Sequence, residues 1–236
     1  ISLQSIALSA SHVPFIKETK KEKQIIQDKD IKALLAAPPD TQKGNRDRMI
    51  MILLYDTAIR IAELLELKIS SLKLTSVPSI HIHGKGDKER SVSITDATVS
   101  HLKKHLRQFH PEMLPDQPLF YTKIKGCIAP MSPGNVSRII NKYADMIRSE
   151  HPDLPKHLHC HMFRRTRATG LYRNGVELEM ISVILGHSST ETTRIYATPS
   201  IEMLGEAMNT ANSTIPGETP EWEENEDELA RICGLR

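Results

Sequence analysis

The chain has 236 residues, 39% hydrophobic and 25% charged, which is an ordinary globular composition with ample length for a core and excludes a disordered or fibrous chain. No apolar run approaches the length of a membrane-crossing helix, and three scattered cysteines (Cys127, Cys160, Cys233) argue against a disulfide scaffold and for a reducing, cytoplasmic setting. The net charge of +2 conceals an asymmetry: residues 218–236 hold seven acids and two bases, which leaves 29 bases against 22 acids over residues 1–217. A body of +7 fits a polyanionic partner such as nucleic acid, or simply a solvated surface.

Residues 1–27 show little periodicity and read as a linker entering a domain that spans 28–212. Asp28 or Asp30 can cap a helix with Ile31, Leu34 and Leu35 on its apolar face, stopped by Pro38-Pro39. Residues 45–58 form a helix with a thick apolar face, broken at Thr57-Ala58-Ile59. A new helix then places Arg60 in its first turn, where free N–H groups and the dipole favour an anion. Ile80 to His83 and Ser91 to Ile94 alternate as strands around Gly84-Lys85-Gly86-Asp87-Lys88-Glu89-Arg90, a β-hairpin with a glycine-rich basic tip. Thr95 caps a helix through Val99, Leu102 and Leu106. Leu119 to Tyr121 is a short apolar segment, and Ser132-Pro133 opens a helix through Ile147.

A helix carrying His161 and Arg164 on one face follows and ends at Asn174-Gly175. Another passes through Leu178 and Leu185 to Gly186, and a short one runs from near Thr190 to Tyr196. Leu178 to Ile195 also has a helix-turn-helix look. Ile201 to Met208 reads as a further helical turn or two, and residues 213–236 as an acidic tail whose Trp222, Leu229, Ile232 and Leu235 are apolar anchors. The fold class expected is α+β, mainly α-helical with a small antiparallel sheet.

Two cations, a base and a hydroxyl nucleophile between His161 and Tyr196 are what chemistry on a phosphodiester needs. Taken singly the candidates are unremarkable. Arg60 reads as a helix-surface ion pair, Lys85 as a hairpin-tip lysine, His187 as a residue beside a helix cap, and Tyr196 as a packed ring. Together they resemble the tyrosine recombinases, the phage-integrase-like enzymes. Thr57 to Leu64 is similar to their first arginine motif, Gly84 to Arg90 to their hairpin lysine motif, and His161-Met162-Phe163-Arg164 to their His-x-x-Arg box. Leu185-Gly186-His187-Ser188 with Thr192 to Tyr196 resembles their closing motif. The four motifs stand in the family's order and spacing over roughly residues 28–210.

The resemblance implies the tyrosine recombinase catalytic-domain fold and a metal- and ATP-independent site-specific DNA recombinase or integrase, serving integration or excision of a mobile element. Tyr196 would attack a DNA phosphorus, displace the 5′-hydroxyl and leave a 3′-phosphotyrosine. Arg60 and Arg164 would fork onto the non-bridging oxygens, His161 would act as general base and Lys85 as general acid. His187 would hydrogen-bond a phosphate oxygen, and Glu63 would orient an active-site cation. It implies double-stranded DNA as partner, a homotetramer on DNA with the C-terminal tail docked on a neighbouring protomer, no membrane, no cofactor and no metal, with the enzyme at the nucleoid during action.

Many members carry His directly after the second arginine; here Arg165 stands there, an extra cation expected to meet a phosphate or a carboxylate. His157, His159, Cys160 and His161 invite a zinc reading, but their alternation on a loop entering a helix converges poorly on one ion, and Cys160 reads better as a small buried apolar residue. A DNA-binding module without catalysis and a type IB topoisomerase are the alternatives. Ile1 in place of Met, and only 27 residues before the first helix, lead to the expectation of a C-terminal part of a longer protein lacking its N-terminal core-binding domain.

Overall fold

The computed structural model describes residues 24–84, 88–124, 126–187, 189–196, 203–205 and 231. Lys85, the helical segment expected after Ile201 apart from residues 203–205, and all of the tail but Arg231 lie outside the described residues.

The central element is α2 (Gln42–Asp56), which follows α1 (Asp28–Ala36). Met49, Ile50, Met51, Leu53 and Leu54 of α2 are all at most 1% exposed, so this helix is apolar on nearly every side and must lie inside. Thr41 caps it by accepting from the Gly44 N–H. Gly44 is required there, because a Cβ would sit 2.1 Å from the Pro39 carbonyl oxygen. Arg48 of α2 donates from Nε to Leu35 O at 3.1 Å and from Nη2 to Pro38 O, so a cation closes the C-terminal end of α1. The core also reaches back into the segment read as linker. Ile26 is 1% exposed and its N–H donates to Thr166 Oγ1 at 2.9 Å.

The chain leaves α2 through Ala58, which has φ +50°, and enters α3 (Ile61–Glu66). A three-stranded antiparallel sheet follows in the order β1 (Leu72–Lys73), β2 (Ser79–Gly84), β3 (Lys88–Ser93). Ile80, Ile82 and Val92 point inward and are nearly fully buried, which fixes the register Ile80↔Val92 and Ile82↔Arg90. Thr95 caps α4 (Asp96–Phe109) as expected. The apolar segment after Leu119 is longer than its sequence implies: β4 (Tyr121–Ile124) pairs with β5 (Cys127–Pro130) around Gly126 at φ +84°. Ser132 caps α5 (Pro133–Ile147) with Pro at the start.

Helix α6 (Cys160–Arg173) packs on α2 and ends at Asn174-Gly175, with Gly175 at φ +79°. Helix α7 (Leu178–Leu185) ends at Gly186, φ +61°. Beyond it the chain makes two 3₁₀ turns, Thr190–Thr192 and Arg194–Tyr196. Among the described residues of 178–195 no second α-helix follows α7, so the helix-turn-helix look of that stretch is not matched by two α-helices. Ala58, Ala168, Ile181 and Leu185 make a small second core, and Tyr196 packs against it. Among the described residues no helix is long and apolar enough to cross a membrane.

Candidate active site

Arg164 is the most constrained polar residue of the site. It sits in the first turns of α6, is 3% exposed, and donates from Nη1 to Ala58 O and from Nη2 to Leu185 O, both at 2.6 Å. Those carbonyls belong to the break after α2 and to the last residue of α7, so two helix C-terminal ends converge on one cation. Nη2 also donates to His187 Nε2 at 3.0 Å. Three of the five guanidinium N–H groups are thereby committed, one on Nη1 and two on Nη2, leaving two for an incoming oxygen. Burial, then the charge of Arg60, pull its pKa down to about 10, so it stays cationic at neutral pH.

Arg60 is the residue just before α3 rather than within its first turn. Its backbone N–H donates to Glu63 Oε2 at 3.0 Å and its Nη1 to Glu63 Oε1 at 2.8 Å. Nη2 reaches Gly186 O at 3.5 Å, next to the Leu185 carbonyl that holds Arg164. The two guanidiniums therefore meet at the same turn. Arg60 keeps 37% of its side chain exposed, whereas Glu63 beneath it keeps 6%.

A third guanidinium completes the cluster. Arg90 of β3 donates from Nη1 and Nη2 to the two Glu63 oxygens at 3.1 and 2.7 Å, and from Nε to Ile184 O at 3.1 Å. Burial works against a charged Glu63, but the hydrogen bonds from Arg90 and Arg60 outweigh it and hold the carboxyl down at about 2. Three guanidiniums against one carboxylate leave two positive charges in excess, an anion site without a metal. Gly186 is required by this packing, since a Cβ there would lie 2.9 Å from Arg90 Nη1 in addition to the left-handed backbone.

His187 links the cluster to the tyrosine. Arginine cannot accept, so His187 Nε2 is the acceptor from Arg164, and the proton sits on Nδ1, which bonds Thr193 Oγ1 at 2.9 Å. Burial, then Arg164, Arg60 and Arg90, lower its pKa to about 4 and keep it neutral. Both ring nitrogens are engaged inside the protein, so in this arrangement His187 holds Arg164 and Thr193 instead of donating to a phosphate. Thr193 is fully buried and its carbonyl accepts the Tyr196 N–H at 2.9 Å. The Tyr196 ring stacks near that of His187, with centroids 6.3 Å apart and planes at 21°. His161 lies exposed at the start of α6, its pKa lowered by burial and by Arg164, Arg165 and Arg60, so it is neutral and able to take a proton.

The structure thus brings together Arg60, Glu63, Arg164, His187 and Tyr196, and places His161 at the start of the helix that carries Arg164. Among the described residues Arg165 is paired with no carboxylate: its Nη1 donates to Gln24 O at 2.8 Å and pins the incoming chain to α6. Cys160 is 9% exposed and burial raises its pKa to about 11, as a small apolar residue should. Two residues escaped the sequence reading, Arg90 and Thr193. Strand parity marks Arg90: it shares the inward face with Val92, an expensive place for a charge without a partner. Thr193 carries no comparable signal.

A family model described as the phage integrase family matches residues 24–203, and the chain belongs to that family. It is similar to a tyrosine recombinase of Agathobacter rectalis, 40% identical over 164 residues that cover 68% of this chain and 51% of the relative. It is also similar to tyrosine recombinase XerC of Staphylococcus epidermidis, 29% identical over 81% of this chain and 64% of the relative. The chain thus spans one half to two thirds of the length of these relatives. Among solved structures it resembles the XerH site-specific recombinase bound to palindromic difH substrate in a post-cleavage complex, with TM-score 0.66, 25% identity, and 82% and 54% of the two chains covered. The XerA recombinase aligns with TM-score 0.64, 28% identity, and 81% and 65% covered.

Proposed function

We propose that the protein is a site-specific DNA recombinase that cuts and rejoins double-stranded DNA through a covalent 3′-phosphotyrosine, as part of integrating or excising a mobile element. The observation that carries this is the buried Arg164, locked by two backbone carbonyls with two N–H donors left over, beside Arg60 and Tyr196. The similar XerH site-specific recombinase is bound to its difH substrate, which supports DNA as the substrate.

Tyr196 Oη attacks the scissile phosphorus; an Oη–P bond forms and the P–O5′ bond breaks. His161, neutral for the reason above, takes the tyrosine proton. Lys85, two residues past His83 on the β2–β3 hairpin, gives a proton to the leaving 5′-oxygen. Arg60 and Arg164 bond the non-bridging oxygens as charge builds there. Glu63 and Arg90 set the pose of Arg60, and His187 with Thr193 sets Arg164 and the turn bearing Tyr196. Strand exchange repeats the step in reverse with a new 5′-hydroxyl, so the phosphodiester energy is retained and no ATP is consumed. The protein acts as a homotetramer on DNA, in the cytoplasm at the nucleoid.

The test is a pool of nicked duplexes of randomised sequence, in which release of the short 5′-hydroxyl strand makes cleavage irreversible. A denaturation-resistant protein–DNA adduct that Tyr196→Phe abolishes is the expected result, and sequencing the trapped strands identifies the site. DNA bound without adduct would instead mean a binding module. Adduct at all sequences together with relaxation of supercoiled DNA would mean a topoisomerase.

A further inference from the structure

We propose that the β2–β3 hairpin carries a transition-metal site, with zinc as the best-suited ion, formed by His81, His83 and Glu89 and separate from the catalytic machinery. Strand parity dictates it. Ile80 and Ile82 are fully buried, so His81 and His83 are both thrown onto the outer face of β2. In the antiparallel register Glu89 stands opposite His83, and Ser91 opposite His81, on that same face.

The side chains already converge. His81 Nε2 lies 3.3 Å from Glu89 Oε2 and His83 Nδ1 lies 2.9 Å from Glu89 Oε1. One ligand atom from each of the three residues falls within 4.8 Å of the others. Tetrahedral zinc with bonds of about 2.0–2.1 Å separates its ligands by about 3.4 Å, so only small side-chain rotations are needed. The two imidazole rings stand edge to face, 5.0 Å between centroids, which turns their nitrogens toward a shared point rather than stacking them away. His81 also has an orienting partner. Its Nδ1 contacts Ser91 Oγ at 3.3 Å, which leaves Nε2 as the ligating atom.

Two imidazoles and one carboxylate suit a borderline ion such as zinc; calcium and magnesium prefer all-oxygen sets. The three side chains are 28%, 63% and 52% exposed, so a fourth, solvent-facing position is open to water. A bound ion bridges β2 and β3 at the pair His83↔Glu89, next to the last described pair Gly84↔Lys88, and so ties the two strands where they flank the segment containing Lys85. The site does not depend on the recombinase reading and fails or stands independently of it.

The experiment is calorimetric titration of the chain, free of any affinity tag and stripped with chelator, with zinc chloride alone near neutral pH. One equivalent should bind, and thermal unfolding should shift upward with zinc. His83→Ala and Glu89→Gln should each weaken binding by about tenfold or more and abolish the thermal shift, with unchanged circular dichroism, since both side chains are exposed. The His157→Ala/His159→Ala variant should bind like the parent. Absence of binding at micromolar zinc overturns the proposal, as does binding that survives His83→Ala and Glu89→Gln undiminished or is lost in the His157→Ala/His159→Ala variant.

Discussion

Replacing Glu63 by Gln tests whether the buried carboxylate organises Arg60 and Arg90. The residue keeps its shape and loses its charge, while one of the two oxygens that accept from Arg60 and Arg90 becomes an NH2 donor facing them. Its carboxyl is held at about 2 against an ordinary value of 4.5, and it is 6% exposed, so solvent screening is slight. At 1.36 kcal/mol per pKa unit the ionised carboxylate is favoured in the fold by about 3 kcal/mol, in the range of about 3–5 kcal/mol for stranding one partner of a buried pair. The sign follows from the depressed pKa. The contribution is fully present above the unfolded value near 4.5 and is lost as pH falls toward 2. Urea unfolding of both proteins should therefore give a gap of about 3 kcal/mol at pH 7, narrowing to roughly 2.5 kcal/mol at pH 4 and steeply below it. A gap under about 1 kcal/mol at pH 7, or one that widens on acidification, would refute the reasoning and make Glu63 a bystander.

Arg164→Lys keeps the charge but offers a point donor that cannot span Ala58 O and Leu185 O together. DNA-adduct formation should fall by roughly 10²–10³-fold with DNA affinity nearly unchanged, measured by quench-flow trapping beside filter binding. His105, 1% exposed with Nδ1 buried and unpaired, is neutral in the fold because burial lowers its pKa to about 4 from 6.5. The unfolded chain binds that proton first, so stability is complete above pH 6.5 and should drop by about 2 kcal/mol between pH 7 and pH 5. His187, lowered to about 4 as well, adds a drop of its own, so pH-dependent urea unfolding of His105→Leu should lose about 2 kcal/mol of the fall between pH 7 and pH 5 and keep the part due to His187.

Much of this architecture was legible because the punctuation is local. Thr95, Ser132, Gly175 and Gly186 mark helix ends by their own backbone and side-chain chemistry, and the Ile80/Ile82 alternation fixes which face of the hairpin is core. Family motifs then supplied residues for the site. What pattern could not supply was the partner of each group. Glu63 was expected to orient a cation, yet nothing local reveals that Arg90, 27 positions away, grips both its oxygens. His187 was expected to face a phosphate, and only the packing of α7 on α6 turns its Nε2 onto Arg164. Residues 178–195 look like a helix-turn-helix because Gly186 separates two stretches read as helical, but the second closes as 3₁₀ turns around the buried Thr193. The pairing of β4 with β5 was missed because four-residue strands carry too few alternations to register.

The same constraints explain why Ala58 tolerates a left-handed backbone that favours glycine. Ending α2 with φ +50° turns the Ala58 carbonyl to the Arg164 guanidinium, and ending α7 at Gly186 does the same for the Leu185 carbonyl. Each break leaves an orphan acceptor at the negative end of a helix, and one buried cation satisfies both. The strain at Ala58 and the cost of burying Arg164 are thus offset by one interaction. Because backbone carbonyls hold it, the guanidinium keeps its position before any phosphate arrives, and its two remaining donors need no reorganisation when charge develops. Among the described residues, the Tyr196 ring rests on the small second core and its N–H donates to the Thr193 carbonyl of a 3₁₀ turn. On the recombinase reading proposed above, the guanidinium that would stabilise charge is held by backbone carbonyls before DNA binds, while the proposed nucleophile stands at the end of a 3₁₀ turn, an asymmetry that suits strand cuts timed by assembly on DNA.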